Sequence, residues 1–247
     1  MSSKLEIDIN ADVGEGIGNE ANMMPYLSSC NIACGGHAGN FETMKSVVKL
    51  AKAHQVKIGA HPSFPDKENF GRINMKLSLE ELFDSLKSQV EDLTTVLKSE
   101  NVEIHHIKPH GALYNLATKD SETAKVILKV IKSFSSSVKL YAPYKSVIAE
   151  LAKHENIEVV FEGFADRNYN QDLSLVSRQN KDALITEKEA VLKHVFKMIS
   201  EQKINTITGV EVELFADTIC VHGDTENAQN ILEYLYHNLE LNNVRIL

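Results

Sequence analysis

Ile7-Asp8-Ile9-Asn10-Ala11-Asp12 is the stretch on which the fold turns. Apolar and polar residues alternate through it, which is the two-residue period of a β-strand. Continued as a strand, the segment sends Asp8, Asn10 and Asp12 to one side and Ile7, Ile9 and Ala11 to the other. Polar groups at this spacing suit a divalent cation or general-base chemistry. The plainer alternative has Asp12 starting a turn and Asp8 pairing with a lysine.

The same ending recurs along the chain. Gly59-Ala60-His61-Pro62, Ile107-Lys108-Pro109-His110-Gly111, Phe164-Ala165-Asp166-Arg167 and Val221-His222-Gly223-Asp224 each follow a strand pattern. Strands are expected at residues 4–10, 56–60, 103–107, 138–142, 157–161, 207–215, 217–221 and 243–246. Helical patterns lie between them. Leu79, Leu82, Phe83, Leu86, Val90, Leu93 and Leu97 form one stripe over residues 78–98, with Ser78 and Glu81 as a capping box. Thr186 and Glu189 repeat that box. Asn40 is placed to cap a helix carrying Phe41, Met44, Val47, Val48 and Ala51, and the last helix is expected at about residues 225–239. This βα repetition, without a linker, predicts a single α/β domain over residues 1–247, either a closed barrel or a doubly wound sheet. Titratable clusters after at least five strands favour the barrel, whose strand ends converge on one face; an open sheet gathers only those at its switch point.

Composition narrows the function. Hydrophobic residues at 43% and charged residues at 24% are ordinary for a globule with a full core. No apolar run approaches the ~18 residues of a membrane span, and the N-terminus does not read as a signal peptide. Twenty-six Lys and Arg against 34 Asp and Glu give a formal net charge of −8, without a basic stripe for nucleic acid. Cys30, Cys34 and Cys220 fit no disulfide or zinc framework, so a reduced, cytoplasmic protein is expected. Cys34 reads as a small buried residue.

Ten histidines fall into groups. His54, His154, His194 and His237 sit in helical patterns and are expected in solvent. His105 and His106 are adjacent in a strand, so at most one faces inward. His37, His61, His110 and His222 stand beside glycine or proline after strands, where rigid backbone favours close approach of a ligand. Imidazole there can ligate metal or move a proton near neutral pH. Gly14-Glu15-Gly16-Ile17-Gly18 and Cys34-Gly35-Gly36 read as tight loops, the latter leading into a helix, and no Walker A motif is present. Arg167 and Arg178 either clamp a carboxylate or brace a loop. Asp224 either serves the site or caps the last helix.

Taken together, Asp8–Asp12 with Gly14-Glu15, Asn31–Gly39, Gly59–Pro62, Phe70-Gly71-Arg72, Lys108–Asn115, Phe164–Arg167 and Asp217–Asp224 resemble the LamB/YcsF family from about residue 5 to the C-terminus. Lys108-Pro109-His110-Gly111-Ala112-Leu113-Tyr114-Asn115 and Asp217-Thr218-Ile219-Cys220-Val221-His222-Gly223-Asp224 are long and specific. Departures are Ile73 in place of a second arginine, Ala142–Ser146 in place of a glycine-rich loop, and Gly36 in place of an apolar or aromatic residue. The resemblance implies a distorted, seven-stranded, TIM-like β/α barrel of the glycoside hydrolase/deacetylase type. It also implies ATP-dependent hydrolytic opening of the 5-oxoproline lactam to L-glutamate, together with subunits B and C of 5-oxoprolinase.

Opening a lactam requires an activated water, a stabilised oxyanion and a proton for the departing nitrogen. On this reading Asp12 with His61 activates water, directly or through a metal, and His110 or Asp166 protonates nitrogen. Arg167, Arg178 or the glycine loop holds the carboxylate, and Asn10, His37, Lys108, Tyr114, His222 and Asp224 complete the substrate contacts. ATP is expected at the level of the complex. A divalent metal is compatible with the acid and imidazole set, with its ligands unassigned. Two other classes fit the same residues: a stand-alone metal-dependent amide or N-acetyl hydrolase, and a non-catalytic lactam-binding subunit.

Overall fold

The computed structural model describes residues 5–247. The reading of the N-terminus at residues 1–4, including the first residue of the expected 4–10 strand, lies outside the described residues. The strands are β1 (Leu5–Val13), β2 (Ser29–Ala33), β3 (Lys57–His61), β4 (His106–Ile107), β5 (Lys139–Pro143), β6 (Val159–Phe164), β7 (Lys203–Asn205), β8 (Glu211–Glu213), β9 (Thr218–Cys220) and β10 (Val244–Ile246). β1 to β6 follow one another in parallel, β6 pairs with β9, and β9 pairs back onto β1, closing a seven-stranded barrel. β10 adds to the N-terminal half of β1, with Leu5 opposite Val244. The closed α/β barrel is therefore the architecture expected from the five polar strand endings.

Two strand expectations need correction. β2 has no counterpart among the expected strands: Ser-Cys-Asn-Ile-Ala is short, polar at alternate positions and runs directly into a glycine loop. Residues 207–215 are not one barrel strand. β7 and β8 form an antiparallel hairpin beside the barrel, turning through Gly209 at φ +81°, and Glu211 pairs with Lys197 and Lys203 in solvent.

Around the barrel run α1 (Glu20–Met23), α2 (Phe41–Ala53), α3 (Leu79–Ser99), α4 (Gly111–Ala117), α5 (Ser121–Lys132), α6 (Val147–His154), α7 (Lys188–Glu201) and α8 (Ala228–Leu241). α3 begins with the Ser78–Glu81 capping box, and Asn40 accepts from the Thr43 amide at the start of α2. Each such cap satisfies backbone donors that the first turn leaves free, and is worth about 1 kcal/mol. Thr186 does not cap α7, which starts at Lys188 with Glu187 before it and no side-chain cap. Leu79 and Phe41, first residues of their helices, are about half exposed; the rest of both stripes turns inward. No described helix is long and apolar enough to cross a membrane.

The apolar core lies between the barrel's outer face and the helices. Ile7, Ile9, Ala11 and Val13 of β1 join Val47, Val48, Leu86, Val90 and Leu93 in one buried cluster. The opposite face of β1 fills the lumen with polar groups. Ser29 and Thr218 hydroxyls donate to Asp8 Oδ1, Tyr141 donates to Ser29, and Lys57 lies 3.3 Å from Asp8 Oδ2. One layer up, the Asn10 amide donates to Glu162 and Thr218, while its oxygen accepts from Asn31. His106 Nε2 lies 2.6 Å from Asn31 Oδ1, and its ring stacks on Tyr141. Barrels of this class usually stack branched apolar side chains inside; here hydrogen bonds replace them, which is stable only because each donor meets an acceptor.

Candidate active site

The top of this polar lumen opens at the carboxyl ends of the strands. Lys108, directly after β4, continues the inward direction of His106 and is 2% exposed. Its Nζ lies 2.8 Å from Asp12 Oδ1, 2.9 Å from Glu162 Oε1 and 3.2 Å from Cys220 Sγ. Burial, acting downward, is outweighed by Asp12, Cys220 and Glu162, so the ammonium is held well above its ordinary range. Burial would likewise raise Asp12, but His61 and Lys108 outweigh it and keep the carboxylate ionised. Tyr114 donates to the second Glu162 oxygen.

Above this floor, imidazoles converge. His61 Nε2 is 3.4 Å from Asp12 Oδ2 and 2.9 Å from His110 Nδ1. His110 stacks on His37 at 3.7 Å between ring centres, and His37 Nε2 is 2.9 Å from Glu15 Oε1. The remaining ring nitrogens of the His61–His110 pair face backbone: His61 Nδ1 the Lys108 carbonyl, His110 Nε2 the Phe70 carbonyl. The second carbonyl is presented by a turn in which Phe70 and Gly71 both take positive φ. A Cβ at Gly71 would press on His37 and His110, so this motif glycine makes room for the stacked rings. Burial holds His37 at about 4 and, with His61 and His37 adding to it, keeps His110 well below its ordinary value. Burial, with the Asp12 charge second, pushes Glu15 up to about 7.

A second acid–imidazole pair comes from β6 and β9. Asp166 accepts from His222 Nδ1 at 2.9 Å, from the His222 amide and from the Thr225 hydroxyl. Burial opposes both shifts, but the contacts win: His222 is raised and Asp166 lowered from their ordinary values. Asp224 receives Arg72 and Arg178 at the rim. Arg167 is buried; its Nη2 donates to the Val176 carbonyl and its Nε has no partner among the described residues.

These groups bound a cavity of about 910 Å³. Asp12, His61, Lys108, His110 and Tyr114 line it, as do Arg167, Arg178, His222 and Asp224. Three candidates stand behind the wall. Asn10 is fully buried among Asn31, Glu162 and Thr218; His37 lies beneath His110; and Asp166 spends its oxygens on His222 and Thr225. Asp224 does not cap α8, which begins four residues later after Asn227.

Glu15, Asn31, His106 and Glu162 are site groups that sequence reasoning did not select. Glu162 carries a readable signal, being the one charged residue in Val-Val-Phe-Glu-Gly-Phe. Glu15 does not, because an acid between two glycines looks like any exposed loop. His194 is a correction of another kind: it is half-buried beside Tyr169, its Nε2 lacks a partner among the described residues, and burial lowers it to about 4.

Among the described residues, two groups bring three or more potential metal donors together: Glu15, His37, His61 and His110, and Asp12, Cys220 and His222. In the second, Lys108 already provides a cation to Asp12 and Cys220.

Comparison with known proteins adds to this geometry. The LamB/YcsF family model matches residues 7–247. The A subunit of 5-oxoprolinase from Bacillus cereus (strain 03BB102) is 42% identical over 246 residues, covering 97% of each chain. A lactam utilization protein from Thermus thermophilus has a crystal structure matching at TM-score 0.92 and 37% identity, over 98% of this chain and 99% of that one. A family 4 carbohydrate esterase from Streptomyces lividans, at TM-score 0.53 and 8% identity over 98% and 91%, shares the fold alone.

Proposed function

This chain belongs to the LamB/YcsF family, and from that membership and its cavity we propose that it acts as the A subunit of a 5-oxoprolinase, opening the 5-oxoproline lactam to L-glutamate with ATP and subunits B and C. The observation that carries the reading is one cavity lined by Asp12 with His61 and by His222, which Asp166 backs from behind the wall, together with a fixed ammonium and three guanidiniums.

Hydrolysis of an unstrained amide needs a base, an acid and a positive field around the carbonyl oxygen. Asp12 Oδ2 and His61 Nε2 together accept the proton of an attacking water. Lys108 Nζ supplies positive charge at the floor without reorganising, because Asp12 and Glu162 already hold it in place. His222 carries the proton for the departing nitrogen at Nε2, since Nδ1 is committed to Asp166 and its raised pKa favours the imidazolium. Asp166 is thus a positioning residue, and His110, held neutral by burial, is the poorer acid. The unpartnered Nε–H of Arg167, on the cavity wall, suits the substrate carboxylate. ATP, bound at the level of the complex, would transfer its terminal phosphoryl group to the lactam oxygen with ADP leaving; attack of one water would then expel the ring nitrogen, and a second water would release phosphate from the resulting acyl phosphate.

The test is glutamate release from 5-oxoproline by the purified chain, with and without ATP and subunits B and C. Release that needs all four components is expected. No 5-oxoproline-dependent glutamate in any combination overturns the proposal.

A further inference from the structure

Protons on His61 and His110 can be placed from their backbone partners. His61 Nδ1 is 2.8 Å from the Lys108 carbonyl and His110 Nε2 is 2.9 Å from the Phe70 carbonyl. A carbonyl oxygen only accepts, so both of these nitrogens carry hydrogen. In the neutral rings the other two nitrogens, His61 Nε2 and His110 Nδ1, are then bare, and they face each other at 2.9 Å. Glu15 Oε1 stands 3.5 Å from His110 Nδ1, 3.9 Å from His61 Nε2 and 2.9 Å from His37 Nε2. The bare His61 Nε2 and His110 Nδ1 repel each other and the nearby Glu15 oxygen unless a positive centre lies among them; His37, whose Nδ1 has no partner among the described residues, can turn either an N–H or a lone pair at Nε2 toward Glu15.

Three further features say what that centre is. Backbone carbonyls behind ligand imidazoles fix the tautomer and aim the free nitrogen, the arrangement that surrounds most metal-bound histidines. Glu15, His37, His61 and His110 each offer one ligand atom within 4.8 Å of those of the others, a span that a single ion can occupy. The charge arrangement points the same way. Asp12 and Glu162 share the ammonium of Lys108, whereas Glu15 lies against imidazoles, and a dication among them gives its carboxylate a cationic partner.

We propose that Glu15, His37, His61 and His110 form a divalent transition-metal site of the zinc type, with three imidazoles and one carboxylate as ligands. This donor set suits Zn²⁺ and its spectroscopic substitute Co²⁺ over the hard cations that prefer all-oxygen shells. The rival occupant is a proton shared between His61 and His110. With the site filled, His61 Nε2 is a ligand and Asp12 Oδ2 alone takes the proton from water. The site does not depend on the lactam reading.

The experiment uses the isolated full chain without ATP, 5-oxoproline or partners, so its outcome is separate from that of the glutamate assay. Metal-free protein is titrated with Co²⁺ and followed by visible absorption and thermal midpoint, then challenged with Zn²⁺. Saturation at one equivalent is expected, with Co²⁺ ligand-field bands, no thiolate charge-transfer band, displacement by Zn²⁺ and a raised midpoint. Glu15→Gln and His110→Asn should weaken Co²⁺ binding by about 100-fold or more, and Cys220→Ser should leave it unchanged. Should either ligand variant misfold, ring ¹⁵N spectra of the wild type decide: His61 Nε2 and His110 Nδ1 shift on adding Zn²⁺ while the carbonyl-facing nitrogens stay protonated. Absence of stoichiometric binding, a proton-sharing signature unmoved by Zn²⁺, or wild-type affinity in folded Glu15→Gln and His110→Asn overturns the proposal.

Discussion

Lys108 shows how much a single side chain carries in this lumen. Its ammonium keeps the Asp12 and Glu162 carboxylates from facing each other bare. Removing one partner of a buried ion pair costs far more than the pair contributes, because the stranded charge stays desolvated. Lys108→Met, close in volume but uncharged, is therefore expected to lose about 3–5 kcal/mol in urea unfolding. An unchanged urea midpoint would show that the floor does not depend on this charge. At this scale the sequence is only half legible. Asp12, His61 and His110 declare themselves by standing at strand ends beside glycine or proline. Glu15 and Asn31 do not, because their importance comes from partners that are distant in the chain: His37 and His61 for one, Asn10 and His106 for the other.

Elements succeed or fail as predictions according to how strongly their periodicity is written. α3 follows its stripe and capping box closely, since an amphipathic helix reports its own buried face. β1 does so too, with apolar residues outside and acids inside. β2 is missed because a strand with a polar lumen face and a following glycine loop looks like loop throughout, and β7–β8 mimic a barrel strand because Glu-Val-Glu alternates correctly for a solvent-exposed hairpin. Glycine within β3 has a structural reason that periodicity does not reveal. A Cβ at Gly59 would overlap the His106 ring, which cannot withdraw because it is stacked on Tyr141 and bonded to Asn31. Gly59→Ala is expected to cost about 3 kcal/mol, seen as a fall of ~6–12 °C in thermal midpoint. A variant melting with the wild type would mean that the His106 layer is loosely packed. Gly36 is a similar case: the space beside it is occupied by Gln89, whose amide pairs with both backbone groups of Ser63.

The whole molecule brings residues from both ends of the chain to one rim, and barrel closure is what does it. β9 beside β1 and β6 sets His222 against Asp166 and Cys220 near Asp12. That closure has a pH signature. His222 lies above its ordinary 6.5, so its contribution is complete below that pH and lost as pH rises through the raised folded value. Asp166 lies below its ordinary 3.8, so its contribution is complete above that pH and lost as pH falls through the lowered folded value. The pair is thus at full strength between pH 3.8 and 6.5. His222→Gln should be less stable than wild type by about 3 kcal/mol in that window, the gap narrowing on the alkaline side in unfolding titrations across pH. A gap independent of pH would separate the pair's charge from its role in closure.

Chemistry at the rim is tested most directly by glutamate release from 5-oxoproline in the complex rebuilt with Asp12→Asn, a change that keeps the side chain's shape and its bond to Asn31 while removing the charge beside His61. A folded variant that loses about 100-fold or more in turnover is the predicted result. Turnover close to that of wild type would contradict the assignment of lactam opening to this cavity.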